Sequence, residues 1–508
     1  MIQISKPLVL TATTSLLTIA ASAAERPNII IFLVDDMGVM DTSLPFITDS
    51  DGNVVREPLN DWYRTPNMER LADRGVRFST FFAQSVSSPT RASIITGQNS
   101  TRHGVTQWIN SSENNRGDYG PTNWNWTGIK QDCPTLPKML KDSGYKTIHI
   151  GKAHFGAEGS EGEFPQNLGF DVNIAGGGMG SPGSYLGLND FGAKKGKNNA
   201  VPDLEQYHGT DIFLTEALTL EAKKEIEKAS KEEEPFFLYM AHYAVHAPFE
   251  DDKRFIDNYD ESKFGKKAAS FAALIEGMDK SLGDIMDCLE NLEIAENTLI
   301  LFVGDNGSDA YVGDFKGHYS SAPLRGKKGT EYEGGVRVPF IASWAKRDET
   351  SKVQRALPIK ENGVQLQFGS VMDLYPTILN MAGAKFPENH VLDGYDLAKQ
   401  LKGEKNEQRS DKLIMHFPHD HRGDYYTSYR SGNWKLIYRY NPEMPTNPQY
   451  ELYNLEIDPF ENDNVATTEM KKTAAMIKEM AEQLEKENAL YPEDKNHRPI
   501  KPILLFNS

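Results

Sequence analysis

Four stretches of this chain are apolar at nearly every position. Asn28 to Val34 and Thr298 to Val303 are continuous and rich in β-branched residues, the pattern of strands buried on both faces. Thr147 to Ile150 and Phe236 to Met240 are shorter runs of the same kind. Between them apolar residues recur at helical spacing, over Asn67 to Arg74, Leu136 to Ser143, Thr215 to Glu232 and Ala268 to Glu290. Strands alternating with helices predict an α/β fold: a large, mostly parallel sheet sandwiched by helices.

After about Gly383 the pattern changes. Val391 to Leu401 reads as a connector. Lys412 to Met415, Tyr425 to Arg430, Trp434 to Tyr440 and Glu451 to Leu455 read as short strands, and Glu469 to Asn488 as an amphipathic helix. These predict a smaller antiparallel sheet with a packed helix. The division is a catalytic domain over residues 24–390 and a C-terminal subdomain over 391–508, within the size range that calls for more than one core.

Residues 1–23 carry one basic side chain, Lys6, then an apolar run, then Ala21-Ser22-Ala23, which together read as a cleavable leader. The expectation is a secreted or periplasmic protein with no stable membrane span. Only Cys133 and Cys288 are present, so at most one bridge is open to the chain and a disulfide framework is excluded. The net charge of -17 does not suit a nucleic-acid partner. An anionic ligand would need a local cationic pocket or a metal.

The candidate chemistry lies where the predicted strands end. Asp35-Asp36 closes the first, Gly151-Lys152-Ala153-His154 the second, His242 and His246 come after the third, and Asp305-Asn306-Gly307 after the fourth. In open α/β sheets ligands bind beyond the carboxyl ends of strands, so these groups should converge. Taken singly, each has a plain reading: an N-cap, a β-turn, a solvated strand exit. Taken together, the acids and amide form a hard-oxygen set suited to Ca²⁺ or Mg²⁺. Ser87-Ser88-Pro89-Thr90-Arg91 reads as a helix start, capped by Ser87 or Ser88, with a small hydroxyl and an arginine near an anion-binding terminus. Alone, it also describes an ordinary surface helix.

Ser87-x-Pro89-x-Arg91 with Thr96-Gly97, Asp35-Asp36, Gly151 to Gly156, His246-Ala247-Pro248, Asp305-Asn306-Gly307, Lys328 ahead of Glu333 to Pro339, and Leu452 to Pro459 together resemble the type I sulfatase family of the alkaline phosphatase superfamily. Thr90 departs from the commoner serine of the motif. The resemblance implies that Ser87 is oxidised to formylglycine by a maturation enzyme, and that its hydrate attacks sulfur. It implies that Asp35, Asp36, Asp305, Asn306 and the Ser87-derived group hold Ca²⁺. Arg91, Lys152 and Lys328 would neutralise sulfate oxygens, His154 would orient the hydrate, and His246 with Lys328 would protonate the leaving alcohol. Lys328 is preferred to Lys327 because the family pattern places the lysine directly before Gly329.

The expected substrate is a sulfated carbohydrate. Trp108, Trp124 and Trp126 suit sugar-ring stacking or, equally, a core, and His419, His421, Arg422 and Arg430 are candidate substrate contacts. Two other functions stay open: a phosphomonoester or phosphonate monoester hydrolase using Ser87 directly, and a non-catalytic binder of sulfated glycans.

Overall fold

The computed structural model describes residues 26–312 and 320–503. The predicted leader lies outside them. All seven residues of β1 (Asn28–Val34) are buried, with Ile29, Ile31 and Leu33 in the core on one face of the sheet and Ile30, Phe32 and Val34 in the core on the other. Each such side chain contributes about 1.5–3 kcal/mol of burial, which is why the run is apolar throughout.

The remaining strands of this part are β2 (Gly75–Phe78), β3 (Phe81–Phe82), β4 (Lys146–Gly151), β5 (Val172–Ile174), β6 (Phe236–His242), β7 (Thr298–Gly304), β8 (Phe340–Trp344), β9 (Gly363–Gln365) and β10 (Gly369–Ser370). Seven of them join β1 in one eight-stranded sheet, in the order β5-β4-β6-β1-β7-β8-β2-β9. Only β8 runs against its neighbours there, and β3 pairs with β10 in a separate two-stranded ribbon. Helices Leu214–Glu232 and Lys266–Asn291 cover one face, and Ser87–Thr96, Leu136–Asp142 and Leu374–Ala382 the other.

The C-terminal part is a four-stranded antiparallel sheet, β11 (Lys412–His421), β12 (Gly423–Ser431), β13 (Trp434–Arg439) and β14 (Gln449–Asn454), in sequential order. Helix Met470–Lys486 packs Met476, Ile477, Met480 and Leu484 against Tyr429, Leu436 and Tyr438 of that sheet. The connector carries one helical turn, Ala398–Leu401.

Buried charge joins the two parts. Lys435 of β13 bonds Glu333 at 3.0 Å and Glu461 at 2.7 Å, and the Glu461 carboxylate also accepts the Glu333 N–H at 2.7 Å. Cys133 and Cys288 are both free thiols, so no bridge contributes. Among the described residues, no helix is long and apolar enough to cross a membrane.

Candidate active site

Strands β4, β6, β1 and β7 are adjacent and parallel, so their carboxyl ends open on one edge. The register pairs Val34 with Gly304, which places Asp35-Asp36 beside Asp305-Asn306. Carboxylate oxygens of Asp35, Asp36 and Asp305 lie within 4.8 Å of one another, all buried. The Asp36 N–H donates to Asp305 at 2.9 Å, and the Asn306 amide donates to Asp36 at 2.9 Å. Asp41 braces this turn by accepting from Gly38 N–H, Tyr63 OH and Ser308 Oγ at 2.8–3.0 Å.

Helix Ser87–Thr96 points its first residue into the cluster. Its ten residues are all buried, which removes the surface-helix reading. The capping expectation is corrected as well: Val86 occupies the N-cap in extended conformation without a side-chain bond, and Ser87 and Ser88 are the first helical residues. Freed from capping, Ser87 Oγ donates toward Asp35 at 2.8 Å and Asn306 Oδ1 at 3.3 Å, and accepts from Lys152 Nζ at 3.1 Å.

Three cations balance the three acids. Lys152, delivered by the end of β4, bonds Asp35 at 2.6 Å, and Lys328 bonds Asp36 at 2.7 Å. Arg91 bonds Asp305 through Nε and Nη2 at 3.1 and 2.9 Å, and donates to the Lys152 carbonyl at 2.6 Å. Burial pushes the Asp35 carboxyl well up despite Lys152. Burial also opposes the Asp36 charge, yet Lys328, His246 and Lys152 hold it well below the usual carboxylate range. Burial works against Lys328 too, but Asp36 and Asp35 raise it, so it keeps its proton. Burial and then Lys328 push His246 down to about 4, leaving a neutral ring. Its Nδ1 donates to the Ala247 carbonyl at 2.7 Å, so Nε2 is left as an acceptor, 3.7 Å from Asp36.

A cavity of about 330 Å³ opens above this cluster, lined among others by Ser87, Trp108, Lys152, His246, Lys328 and Arg422. A fully buried set of convergent carboxylates, one of them pushed up by burial, with an amide oxygen beside them, fits a hard divalent cation. The hydroxyl of Ser87 stands where a modified side chain would meet both that set and Lys152.

Several sequence expectations change. Arg91 is completely buried beneath the acids and is not among the residues lining the cavity; its guanidinium donates to Asp305 and to the Lys152 carbonyl. His154 lines the cavity, but its ring bonds Ser88 Oγ at 3.2 Å and the Ile109 carbonyl at 2.7 Å, not Ser87. His242 is buried against Ser281 at 2.9 Å, away from the site.

Of the proposed substrate contacts, His421 and Arg422 line the cavity, whereas His419 and Arg430 do not. His419 is fully buried, bonding Thr106 at 2.8 Å and the Arg116 carbonyl at 3.1 Å. Arg430 faces Glu333 and the rings of Phe82 and Phe368. His419 lies in a break in the β11–β12 register between Phe417 and Asp420, around Pro418, which re-aims the side chains there, whereas Arg430 pairs in regular register with Leu413, away from the hairpin tip. Of the three tryptophans only Trp108 reaches the cavity; Trp124 is buried, with its indole N–H on Asn114. The sequence reading missed Met179, Ser181 and Asn199, which line the cavity from an irregular stretch, and Asp309, which pairs with Arg422.

The sulfatase family model matches residues 27–384, and the model of the N-sulphoglucosamine sulphohydrolase C-terminal region matches 327–489. A sulfatase of Formosa agariphila is 30% identical, over 87% of this chain and 85% of the relative. The dog N-acetylgalactosamine-6-sulfatase is 30% identical over 82% of this chain and 72% of its own. A solved structure described as Ps i-CgsB superposes with a TM-score of 0.70 at 25% identity, over 93% of this chain and 96% of the other. The strand-end acids, the serine-headed helix and the matched length agree: this chain belongs to the sulfatase family and is a sulfuric ester hydrolase.

Proposed function

We propose that the chain is an exported sulfatase that hydrolyses the sulfate ester of a saccharide, with a formylglycine made from Ser87 and a bound Ca²⁺. The observation that carries this is the placement of Ser87 Oγ, at the head of a buried helix, within 3.3 Å of Asp35, Asn306 and Lys152 at the floor of the cavity. The saccharide is supported by relatives named N-acetylgalactosamine-6-sulfatase and by a solved relative of 25% identity described in complex with a neocarrahexaose. Export rests on the leader read in residues 1–23.

Asp35, Asp36, Asp305 and Asn306 would hold the cation, which supplies a Lewis acid for the sulfate oxygens. The oxidised Ser87 supplies the nucleophile as its hydrate. The chain's own residues do the rest. Lys152 and Lys328 present ammonium groups to a sulfate seated above Ser87, where the low dielectric of a buried site strengthens them. Lys328 keeps its proton and is the donor for the departing oxygen, while His246 Nε2 offers a lone pair beside it for proton relay. Arg91 and His154 act one layer back, fixing Asp305, Lys152 and the helix start.

The test is the mass of the peptide containing Ser87, from protein co-expressed with a serine-type maturation enzyme, read alongside calcium content and sulfate release. Loss of two hydrogens at Ser87, bound calcium and sulfate released from sulfated sugars are the expected results. An unmodified serine with phosphate-ester but no sulfate-ester hydrolysis would overturn the proposal, as would binding of sulfated glycans without turnover.

A further inference from the structure

A second cavity, of about 600 Å³, shares no lining residue with the catalytic one. It lies where the two parts of the chain meet, a common place for a ligand. Asn99, Arg102 and the connector from Leu392 to Tyr395 line it on one side, and β11 with helix Met470–Lys486 on the other. Thr101 Oγ1 donates to the Glu487 carboxylate and ties the two sides together. Helix Ser87–Thr96 links the cavities: Ser87 lines the first, and Asn99, just past the other end of that ten-residue helix, lines the second. The separation along the helix is about 15 Å.

The charged groups of this cavity are paired. Arg102 grips Asp393 through Nε and Nη2 at 2.9–3.2 Å. Lys412 Nζ bonds Glu479 at 2.8 Å, and the same carboxylate accepts from Tyr429 OH at 3.1 Å. Arg409 lies 2.8 Å from Asp373. No surplus positive charge is left for a sulfate or a carboxylate. Neighbouring hydroxyls fit better, since one oxygen accepts from a base while the next donates to an acid.

The wall also offers a ring. Tyr395 is half-buried, and the guanidinium carbon of Arg409 lies 5.2 Å from its centre and 4.7 Å from that of Phe368. Arg409 lines the cavity, and its buried Nε has no hydrogen-bond partner. A buried donor left unspent in the wall of a polar cavity calls for an oxygen acceptor.

We propose that this cavity is a second, non-catalytic binding site for an uncharged saccharide unit, with Tyr395 carrying the face of the sugar and the Arg102–Asp393 and Lys412–Glu479 pairs reading its hydroxyls. It holds an unsulfated stretch of a longer glycan while the catalytic cavity works on sulfated units. The choice of ligand rests on the sulfated-saccharide reading above; the site itself involves neither Ser87 nor a metal.

Calorimetric titration of the full chain with an unsulfated galactose hexasaccharide reads the site directly, and kinetics on para-nitrophenyl sulfate and on a sulfated galactan read its consequence. The hexasaccharide should bind one to one, and equally well whether or not Ser87 has been oxidised. Tyr395→Ala should weaken it about 10-fold, the worth of a ring contact, while Tyr395→Phe binds as wild type. Lys412→Ala, at an exposed side chain, should weaken it as well. Both alanine variants should raise KM for the sulfated galactan at unchanged kcat and leave para-nitrophenyl sulfate turnover as it was.

No binding of the hexasaccharide to wild type would overturn the site, as would binding that both alanine variants leave intact. Displacement of the hexasaccharide by inorganic sulfate would place it in the catalytic cavity and overturn the site too. Binding lost in the variants, in a protein that hydrolyses no sulfated sugar, would uphold the site and remove the sulfatase reading of the substrate instead.

Discussion

Arg91 has no contact with solvent, yet it is a full charge held among acids. A cation so placed is stable only because Asp305 and the Lys152 carbonyl satisfy its donors, and both partners belong to the site. The fork geometry matters more than the charge. Arg91→Lys should therefore lower affinity for the metal by about 10- to 100-fold, the usual cost of losing a partner that orients a ligand. Calcium titration of the variant checks this; unchanged affinity would show that Asp305 needs no bracing. The burial of Arg91 is not legible in its motif, because a one-dimensional pattern does not record depth. The family pattern favours Lys328 over Lys327, and in the fold Lys328 reaches Asp36.

At the level of elements, the strand ends were readable because a run that is apolar on both faces has one structural meaning. The β11–β12 hairpin was less so. Its strands were visible, but a register break of this kind changes which residues face inward without altering the alternation that a reader sees. Helix Pro66–Asp73 illustrates a cap invisible to local sequence. Its own N-cap, Thr65, makes no capping bond, its hydroxyl being turned to Thr42 and Ser43; Asp279 of helix Lys266–Asn291 accepts from Asn67 and Met68 N–H instead, at 2.8–3.1 Å. Burial pushes Asp279 up to about 7, above the ordinary 3.8. The folded state thus holds a proton that the unfolded chain has released. Its contribution is complete below about pH 4 and is lost as pH rises toward 7. As pH rises across that window the urea midpoint of wild type should fall relative to that of Asp279→Asn, which stands in for the protonated carboxyl; a gap that is constant with pH would refute the assignment.

For the whole molecule, the decisive link is the contact between its two sheets. Lys435 satisfies Glu333 and Glu461 at once, and Glu333 lies five residues beyond Lys328. Removing one member of a buried ionic group leaves the others uncompensated, so Lys435→Met should destabilise the protein by about 3–5 kcal/mol. Lys435→Met combined with Glu461→Gln should recover part of that. Denaturant unfolding measures both, and an undiminished midpoint in the single variant would mean that the sheets are held elsewhere. No sequence pattern announces this network, because its partners are far apart in the chain and each looks like ordinary surface charge.

The depth of Ser87 sets a schedule. It is 3% exposed, at the floor of a cavity whose outer wall is a hairpin made more than three hundred residues later. No second enzyme's catalytic groups can close around a side chain so enclosed. On the proposal that Ser87 is oxidised, the enzyme that rewrites it would have to work on a nascent or still unfolded chain, in the interval between the emergence of that helix from the ribosome and the arrival of the hairpin that seals it.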